Sequence, residues 1–507
     1  MLEVFKLRKL IHLLTNRLTI IGLLLLAQII FIVWFLYQFT QTWYYFHFAT
    51  IIIGAIFSLY IITKDENPMF QLIWVVFILI LPLFGVIFYI YSRTEKLSFS
   101  RHSLMIYYKK LREQEIAKIE HHEADDYRKH QEYLRGLYYP SFRNTKSTFL
   151  KNGEVKLQYL LKALKEAKHF IFMEYFIITE SKMWNDILNV LKEKVKEGVL
   201  IRIMYDDFGS ATKLPFHYHK YLKKLGFEVI RFNPMKLHIN YAMNYRDHRK
   251  IVVIDNKYAF TGGFNIGDEY TNKKKVFGHW NDAGIMIEGK AVWGMTLLFL
   301  ENWSFSSKDK KIDFNRFNLT HQVENDAIYI PFGDIPTDNH LTAKSMYLHL
   351  INDAKHSIDI TAPYLILDNE IKTALKLAAE SGIDVNIIVP SIPDKKLVYM
   401  VSESYVEELM LYGVNVYKYV PGFIHSKMII CDKEVAMIGS SNLDFRSLYM
   451  HLENNLWLND PKTIEDMNAY IEETKEVSIK LTPKHFKKKS ILYRMIQTIL
   501  KGFSPLL

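Results

Sequence analysis

The sequence has a single cysteine, Cys431, among its 507 residues. One cysteine cannot form an intramolecular disulfide, and a metal cluster held by several thiolates is excluded as well. The redox state of the compartment stays open, because such a chain suits either side of a membrane. The length allows two or three domains. The formal net charge of +10 favours an anionic partner, lipid headgroups or nucleic acid, without choosing between them.

Charged residues are absent from three long apolar stretches near the N-terminus, at 18–37, 44–63 and 69–91. Each is long enough to cross a bilayer, although Pro82 and Gly85 interrupt the third. The first stretch lacks a small-residue cleavage site and is too long for a signal peptide. A buried core helix is the alternative for any one stretch. Together they predict a multi-pass anchor in the cell membrane over residues 1–91.

Basic residues flank this region on both sides, with Lys6, Arg8, Lys9 and Arg17 before it and Arg93, Lys96 and Arg101 after it. Such residues favour the cytoplasmic side of a membrane. Three full crossings would put the two clusters on opposite sides. Either one stretch is re-entrant or interfacial, or the rule fails for this chain.

The rest of the chain shows an internal duplication. Residues 92–140 are polar and helical in pattern, which predicts a solvated connector. Residues 141–320 and 321–480 then each repeat a helix, an apolar run, a second helix and another strand. We therefore predict an α/β fold, with two similar halves of βα units on largely parallel sheets forming one catalytic unit behind N-terminal transmembrane helices. Residues 481–507 form a basic amphipathic tail, which either lies on anionic lipid or docks against the catalytic body.

Two segments, "DHRKIVVIDNKYAFTGGFN" from Asp247 and "IHSKMIICDKEVAMIGSSN" from Ile424, are rough copies of each other. In a strand, alternating side chains put the histidine and lysine of each copy on one face and its aspartate on the other. The residues are His248, Lys250 and Asp255 in the first copy and His425, Lys427 and Asp432 in the second. We interpret the aspartates as structural groups that fix neighbouring backbone, outside the proton transfer.

A turn of small residues follows each strand. Gly262 and Gly263 let the backbone approach a ligand closely. Asn265 and Asn442 lie near a predicted helix start, where amide N–H groups and the helix dipole favour an anion. Two facing halves would enclose one phosphate between two imidazoles and two ammonium groups. A lone His-x-Lys is a weak signal, whereas two copies with the same downstream spacing are specific.

These motifs are identified as the HxKxxxxD signature, followed by GGxN or GSxN, of the phospholipase D superfamily. Within it the chain resembles the bacterial cardiolipin synthases, in both motifs, in the apolar N-terminus and in the terminal "SPLL". The third apolar stretch is a departure, since many relatives have two. The resemblance implies phospholipase D-like halves and a reaction that turns two phosphatidylglycerols into cardiolipin and glycerol, with no metal or other cofactor.

The resemblance also implies residue roles. One histidine attacks phosphorus to form a phosphatidyl-histidine, and the other protonates the departing glycerol and then deprotonates the second lipid. By similarity His248 is the nucleophile and His425 the acid and base. The signature lysines and asparagines would hold the phosphate oxygens, and the signature aspartates Asp255 and Asp432 count with the catalytic motif.

Carboxylates at two further places are candidate partners for the imidazoles. Relatives take the group that orients each histidine from downstream of the motif, where this chain has Asp282 and Glu453. A surface carboxylate is the alternative for each. Asp206 and Asp207 suggest a pair for metal or acid–base work, but a helix cap or turn is the favoured interpretation.

Three other functions are weighed against the synthase. A phospholipase D-type hydrolase or a transphosphatidylase of another phospholipid would carry the same motifs. A nucleic-acid phosphodiesterase fits the charge but not the apolar N-terminus, so no nucleic-acid partner is predicted. A lipid-binding scaffold would not need two intact motifs. The predicted partners are phosphatidylglycerol and membrane lipids; the oligomeric state is undetermined.

Overall fold

The computed structural model describes residues 25–34, 42–94, 99–119, 126–234, 244–307, 312–336, 340–486 and 489–506. The chain separates into two units, Met1–Tyr91 and Ser92–Leu507. Several residues named above lie outside the described residues: the basic residues before the first apolar stretch, both ends of that stretch (18–24 and 35–37), and Lys96.

The first unit is helical. Its helices are α1 (Leu25–Trp34), α2 (Thr42–Ile62), α3 (Pro68–Ile80) and α4 (Pro82–Thr94). Among the described residues one helical stretch, Tyr44–Ile62 within α2, is long and apolar enough to cross a membrane.

The third apolar stretch is a helical hairpin. Because Pro82 cannot continue a helix, α3 ends and α4 folds back on it, with the rings of Trp74 and Tyr89 centred 5.1 Å apart. The helices approach so closely that a Cβ on Gly85 would lie 2.7 Å from the Cα of Ile78. Each arm has 13 residues, or about 20 Å of helix, against a hydrocarbon core of about 30 Å. This stretch therefore does not form the single spanning helix that its length predicts.

The second unit begins with α5 (Phe99–Ile116) and α6 (Arg128–Gly136). Helix α5 is not merely solvated, because Arg112 is buried and pairs with the buried Glu301 at 2.8 Å. Tyr108 on the same helix is fully buried. The prediction of a solvated connector is wrong for this helix, which packs against the first half.

The first half carries a seven-stranded sheet in the order β1-β9-β7-β6-β2-β3-β4. Its elements are β1 (Thr145–Leu150), α7 (Gly153–Glu166), β2 (Phe170–Tyr175), α8 (Lys182–Lys196), β3 (Leu200–Asp206), α9 (Asp207–Ser210), α10 (Tyr218–Lys224), β4 (Glu228–Phe232), β5 (Arg246–Asp247), β6 (Lys250–Ile254), β7 (Tyr258–Gly262), β8 (His279–Asn281), β9 (Gly284–Gly289) and α11 (Val292–Ser307).

The second half repeats this path, with β10-β17-β16-β15-β11-β12-β13-β18 in its sheet. Its elements are β10 (Tyr329–Asp334), α12 (Thr342–Asp353), β11 (Ser357–Thr361), α13 (Asn369–Glu380), β12 (Asp384–Pro390), α14 (Lys396–Met410), β13 (Asn415–Tyr419), β14 (Gly422–Ile424), β15 (Met428–Cys431), β16 (Val435–Gly439), α15 (Phe445–Tyr449), β17 (His451–Leu458), α16 (Pro461–Glu476), β18 (Ser478–Lys480), a 3₁₀ turn (Pro483–Phe486), α17 (Ile491–Gly502) and a second 3₁₀ turn (Ser504–Leu506).

The sheets are mixed, so the expectation of largely parallel sheets is wrong. Parallel pairing joins β2, β3 and β4 in one half and β11, β12 and β13 in the other. The motif strands β6 and β15 pair antiparallel with both neighbours. They return through tight turns in which Asp255 and Asn256, and likewise Asp432 and Lys433, have positive φ, as hairpin turns of right-handed twist require.

Amphipathic helices cover the sheets. In α8 the buried positions include Trp184, Ile187 and Leu191, spaced three and four residues apart, so one face packs on the core that contains Ile171 and Ile203. The Ser181 hydroxyl caps this helix by accepting from the Trp184 N–H. This packing fixes the central strands β2 and β3 of the first half, and β2 pairs with the motif strand β6.

Candidate active site

Each motif histidine is fastened to a strand of the other half. Strand β5 pairs with β17 of the second half, and the His248 N–H donates to the Leu452 carbonyl at 2.9 Å. Strand β14 pairs with β8 of the first half, and the His425 N–H donates to the Asn281 carbonyl at 2.6 Å. The two motifs therefore lie along one interface between the halves.

The imidazole–carboxylate pairs cross the same interface. The Nδ1 of His248 lies 2.9 and 3.1 Å from the two carboxylate oxygens of Glu453. The Nδ1 of His425 lies 2.6 Å from Oδ2 of Asp282. Both imidazoles are 7% exposed and both carboxylates are fully buried. Each half thus supplies the carboxylate for the histidine of the other, a crossing that the downstream position of Asp282 and Glu453 does not indicate.

Burial sets the charge of these pairs. It lowers the pKa of His248 to about 3 and that of His425 to about 4, and the attraction of the carboxylates only partly opposes it. Burial alone would raise the carboxyl pKa values, but attraction to the neighbouring imidazole outweighs it and holds both below their usual range. At neutral pH each imidazole is therefore neutral, with Nδ1–H donated to an ionised carboxylate and Nε2 left as the basic atom.

Two buried lysines complete the charge of the site. The ammonium groups of Lys250 and Lys427 donate to the backbone carbonyls of His248 and His425, respectively. Burial lowers their pKa values to about 7 and about 8, and Lys427 further lowers the pKa of Lys250 by repulsion. Since an ammonium has three donors, each lysine keeps two N–H groups for another acceptor.

The motif aspartates do not approach the imidazoles. Each accepts backbone N–H groups at the start of a central strand, with Asp255 bound to Lys168, His169 and Phe170 at 2.6–2.9 Å and Asp432 bound to Lys355, His356 and Ser357 at 2.6–2.9 Å. These contacts match the structural interpretation of the alternating strand. Grouping Asp255 and Asp432 with the catalytic residues is not supported by their positions.

The motif asparagines are both buried. The Asn265 amide accepts from the Ile177 N–H at 3.1 Å and donates to the Tyr270 hydroxyl at 3.1 Å, which leaves one amide hydrogen. The chain after Asn265 forms turns up to β8, so the helix start predicted there is wrong. After Asn442, α15 does begin, capped by Asp444.

The two motif glycines serve close packing. A Cβ on Gly263 would lie 2.1 Å from the Asp282 carboxylate and 2.8 Å from the His425 carbonyl. A Cβ on Gly262 would meet the backbone of Gly284 at 2.4 Å. Gly263 thus lets the first motif touch the imidazole–carboxylate pair that forms across the interface.

The site also contains residues that the motifs do not indicate. The ring of His451 is centred 5.5 Å from that of His248, and its Nδ1 lies 3.7 Å from Glu453. Ser440 donates to the same carboxylate, and Asn454 accepts from the Lys250 N–H at 3.1 Å. His451 and Glu453 are two residues apart on β17, so strand alternation could have indicated their common face.

One cluster among the described residues could hold a metal ion. Ligand atoms of His248, His451 and Glu453 all lie within 4.8 Å of one another. The Glu453 carboxylate already accepts from His248 and Ser440, so hydrogen bonds account for its position.

Aromatic rings lie beside both imidazoles, one near His248 and three near His425. Phe176 lies 5.0 Å from His248 between ring centres. Trp280, Phe423 and Tyr270 lie 5.0, 5.8 and 6.2 Å from His425. Both histidines are only 7% exposed, so these rings form part of a largely buried environment.

The acidic pair Asp206 and Asp207 does not form a metal site. The Asp206 carboxylate caps α9 through the N–H groups of Phe208 and Gly209 and also accepts the Asp247 N–H at 3.0 Å. Asp207 pairs with Arg231 at 3.2 Å. The favoured interpretation as a helix cap agrees with these contacts, and Asp206 in addition fixes the strand that leads into His248.

Comparison with known proteins places this site in a family. Residues 160–290 and 347–475 match the family described as "Cardiolipin synthase, PLD-like domain". Cardiolipin synthase 2 of Bacillus cereus is 36% identical over 477 residues, 90% of each chain. The cardiolipin synthase of Halalkalibacterium halodurans is 34% identical over 486 residues, which cover 93% of this chain and 96% of that one.

A solved structure shares the fold. The phosphatidylserine synthase of Haemophilus influenzae Rd KW20 superposes with a TM-score of 0.56 and 13% identity, over 75% of this chain and 97% of that one. The resemblance drawn from the two motifs is confirmed, and the chain belongs to the cardiolipin synthase family of the phospholipase D superfamily.

Proposed function

We propose that the chain transfers a phosphatidyl group between two phosphatidylglycerol molecules, giving cardiolipin and glycerol through a phosphatidyl-histidine at His248. The observation that carries the proposal is the pair of imidazole–carboxylate contacts formed across the interface, with a lysine beside each histidine. A displacement in two steps needs an attacker and a proton carrier at one phosphorus, and each half supplies one of them.

Charge balance explains how one imidazole becomes an acid. Without substrate and below the lysine pKa values of about 7 and about 8, two carboxylates and two ammonium groups cancel, and burial keeps both imidazoles neutral. A phosphodiester adds one negative charge to this buried site. The added charge favours uptake of one proton, which His425 carries on Nε2 while His248 stays neutral.

The two steps balance in atoms and protons. The Nε2 lone pair of His248 attacks phosphorus, the bond from phosphorus to the glycerol oxygen breaks, and that oxygen takes the proton from His425. The hydroxyl of the second lipid then returns a proton to His425 as its oxygen attacks phosphorus. The P–N bond breaks, and cardiolipin leaves with His248 restored.

Donors near the imidazoles would hold the non-bridging phosphate oxygens. Lys250 and Lys427 each have two remaining N–H groups, and Asn265 has one amide hydrogen left. The buried Asn442 lies in the corresponding turn of the second motif and would supply the matching amide. Donors fixed in a buried site stabilise developing charge more than donors in water do.

The alternative is a membrane-bound phospholipase D-type hydrolase, in which water replaces the second lipid. The burial of both imidazoles, each belonging to a histidine that is 7% exposed, favours transfer, because a buried site excludes most water. The test is purified full-length protein with phosphatidylglycerol vesicles, analysed for products. Cardiolipin and free glycerol in equal amounts support the proposal, with no product from His248→Ala. Phosphatidic acid as the main product would assign the hydrolase.

We propose further that the first unit is a multi-pass membrane anchor with two crossings and one re-entrant hairpin. The tip of the hairpin lies near the middle of α2, because a Cβ on Gly54 would be 3.0 Å from Pro82. The hairpin therefore reaches about halfway along the spanning helix, and both its ends open on the side of Ile62. Two crossings then bring the basic flanks onto the same, cytoplasmic side.

Cysteine labelling in intact cells tests this topology. The native Cys431 is buried, so an introduced thiol reports alone. A membrane-impermeant maleimide should label Thr40→Cys, which two crossings place outside the cell, and should not label Lys96→Cys until the membrane is opened. Labelling of Lys96→Cys in intact cells would mean a third full crossing and would contradict the hairpin topology.

A further inference from the structure

Helix α17 is held on the catalytic unit by its polar side. Its polar residues, and Lys489 just before it, bind an acidic ridge on α14. The contacts are Lys489–Glu407 at 3.4 Å, Tyr493–Glu403 at 2.8 Å, Arg494–Glu407 at 3.5 Å, Gln497–Met400 carbonyl at 2.6 Å and Lys501–Glu408 at 2.7 Å. The orientation is therefore the reverse of an ordinary surface helix, which turns its apolar side inward.

The apolar side of α17 consequently faces outward. Five large apolar residues of the helix and the C-cap residue are between 41% and 80% exposed, namely Ile491, Leu492, Met495, Ile496, Ile499 and Phe503, whereas Leu500 is half-buried. Their spacing of three and four residues makes them one continuous stripe along the helix. Turning this stripe inward would break the ion pairs to α14, so the catalytic unit cannot cover it.

Exposed charged residues indicate which kind of surface the apolar stripe binds. The 3₁₀ turn before α17 exposes Lys484 and His485, and Lys480 at the end of β18 is also exposed. An apolar stripe that follows exposed basic residues in the chain matches the boundary between acyl chains and anionic headgroups of a bilayer. A partner protein with a plain apolar groove would leave these exposed positive charges without a counterpart.

The stripe is connected to the second motif. After α17 the 3₁₀ turn Ser504–Leu506 contacts α15, where Arg446 donates to the Leu506 carbonyl at 3.0 Å. Helix α15 begins at Phe445, three residues after the motif asparagine Asn442. A surface bound to α17 is therefore linked through one short helix to the motif that contains His425.

We infer that α17 is a bilayer-docking surface that seats the active site against an anionic phospholipid membrane, separately from the N-terminal anchor. The inference rests on the proposed function, because it explains how lipids embedded in a bilayer reach buried imidazoles. The headgroup enters the site while the acyl chains remain at the membrane beside the apolar stripe.

The direct test uses full-length protein reconstituted in phosphatidylglycerol vesicles. A bimane fluorophore on Met495→Cys should be quenched by brominated acyl chains, whereas the same label on Lys196→Cys, on α8 of the first half, should not. Absence of quenching at Met495 overturns the inference. Shielding of the Met495 label that depends on protein concentration, without quenching, would assign the stripe to a second copy and also overturns it.

Activity provides the second test. Leu492→Glu combined with Ile499→Glu should lower the rate on vesicles about tenfold or more, because carboxylates on the stripe oppose its burial in lipid. The rate on monomeric short-chain phosphatidylglycerol should stay within about twofold, since that substrate needs no docking. A double variant that keeps the wild-type rate on both substrates, or that loses the same factor on both, contradicts the inference. A wild-type protein that makes no cardiolipin from either substrate would instead refute the proposed function. The quenching experiment would still test the docking surface in that case.

Discussion

Replacing Glu453 by glutamine should nearly abolish formation of the covalent intermediate. The Glu453 carboxylate accepts from the His248 Nδ1–H and from the Ser440 hydroxyl. A glutamine has one acceptor oxygen, so its NH₂ group must face one of these donors. When it faces His248, the imidazole shifts its proton to Nε2 and loses the lone pair that attacks phosphorus.

The magnitude follows from the same geometry in other imidazole–carboxylate pairs. An amide in place of the orienting carboxylate lowers kcat about 10⁴-fold, or about 5.5 kcal/mol at 1.36 kcal/mol per decade. We expect a loss of about 10³- to 10⁴-fold for Glu453→Gln. Unfolding temperature measured beside activity shows whether the variant is folded.

The matched variant is Asp282→Asn, which acts on His425 in the same way. If His425 is the acid, its loss matters less when the leaving group needs no proton. A phosphatidyl ester of p-nitrophenol should therefore release nitrophenolate at a nearly normal burst rate with Asp282→Asn and should show no burst with Glu453→Gln. Rescue of Glu453→Gln alone would reverse the two histidine roles, and a normal burst with both variants would refute the orienting roles of the carboxylates.

Three other predictions concern neighbouring groups. Above pH 7–8, log kcat/KM should fall as Lys250 and Lys427, with pKa values of about 7 and about 8, lose the positive charge that attracts phosphate. Lys427→Arg should move part of this fall to higher pH. A flat profile to pH 10 would contradict the assignment of these lysines as the cations that bind phosphate. Asp432→Asn should lower the free energy of unfolding by about 2 kcal/mol because it weakens three backbone hydrogen bonds. Its kcat should change less than about threefold. A large loss of kcat at unchanged stability would mean that Asp432 has a catalytic role. Gly263→Ala should lower kcat about 10²-fold or more, since its methyl group would displace Asp282. Gly502→Ala, with open space around the added carbon, should leave kcat unchanged. Equal activities of the two variants would show that the close approach of Gly263 to Asp282 is unimportant.

The duplication and the two motifs predict much of the catalytic unit, because two-residue alternation is a local property of a strand. It correctly separates His248 and Lys250 from Asp255, whose contacts are to backbone. The mixed pairing of the sheets was missed because it depends on hairpin turns at Asp255 and Asp432, and positive φ at these residues is not apparent from an apolar strand pattern.

Contacts across the interface could not be predicted from the sequence. Nothing in the spacing of Asp282 and Glu453 tells which histidine each one binds, since that depends on how the sheets of the two halves pack. The third apolar stretch shows the same limit. Composition marks it as long enough to span, and only the fold shows that Pro82 and Gly85 turn it into a hairpin.

The central claim is that one phosphorus lies between the imidazoles of His248 and His425. The most direct measurement is an experimental structure of the full chain with vanadate, which adopts the five-coordinate geometry of the displacement. We predict one vanadium per chain, bonded to Nε2 of His248, with Nε2 of His425 at hydrogen-bond distance from the opposite apical oxygen. Two vanadates on separate histidines, or one bound to neither, would contradict it.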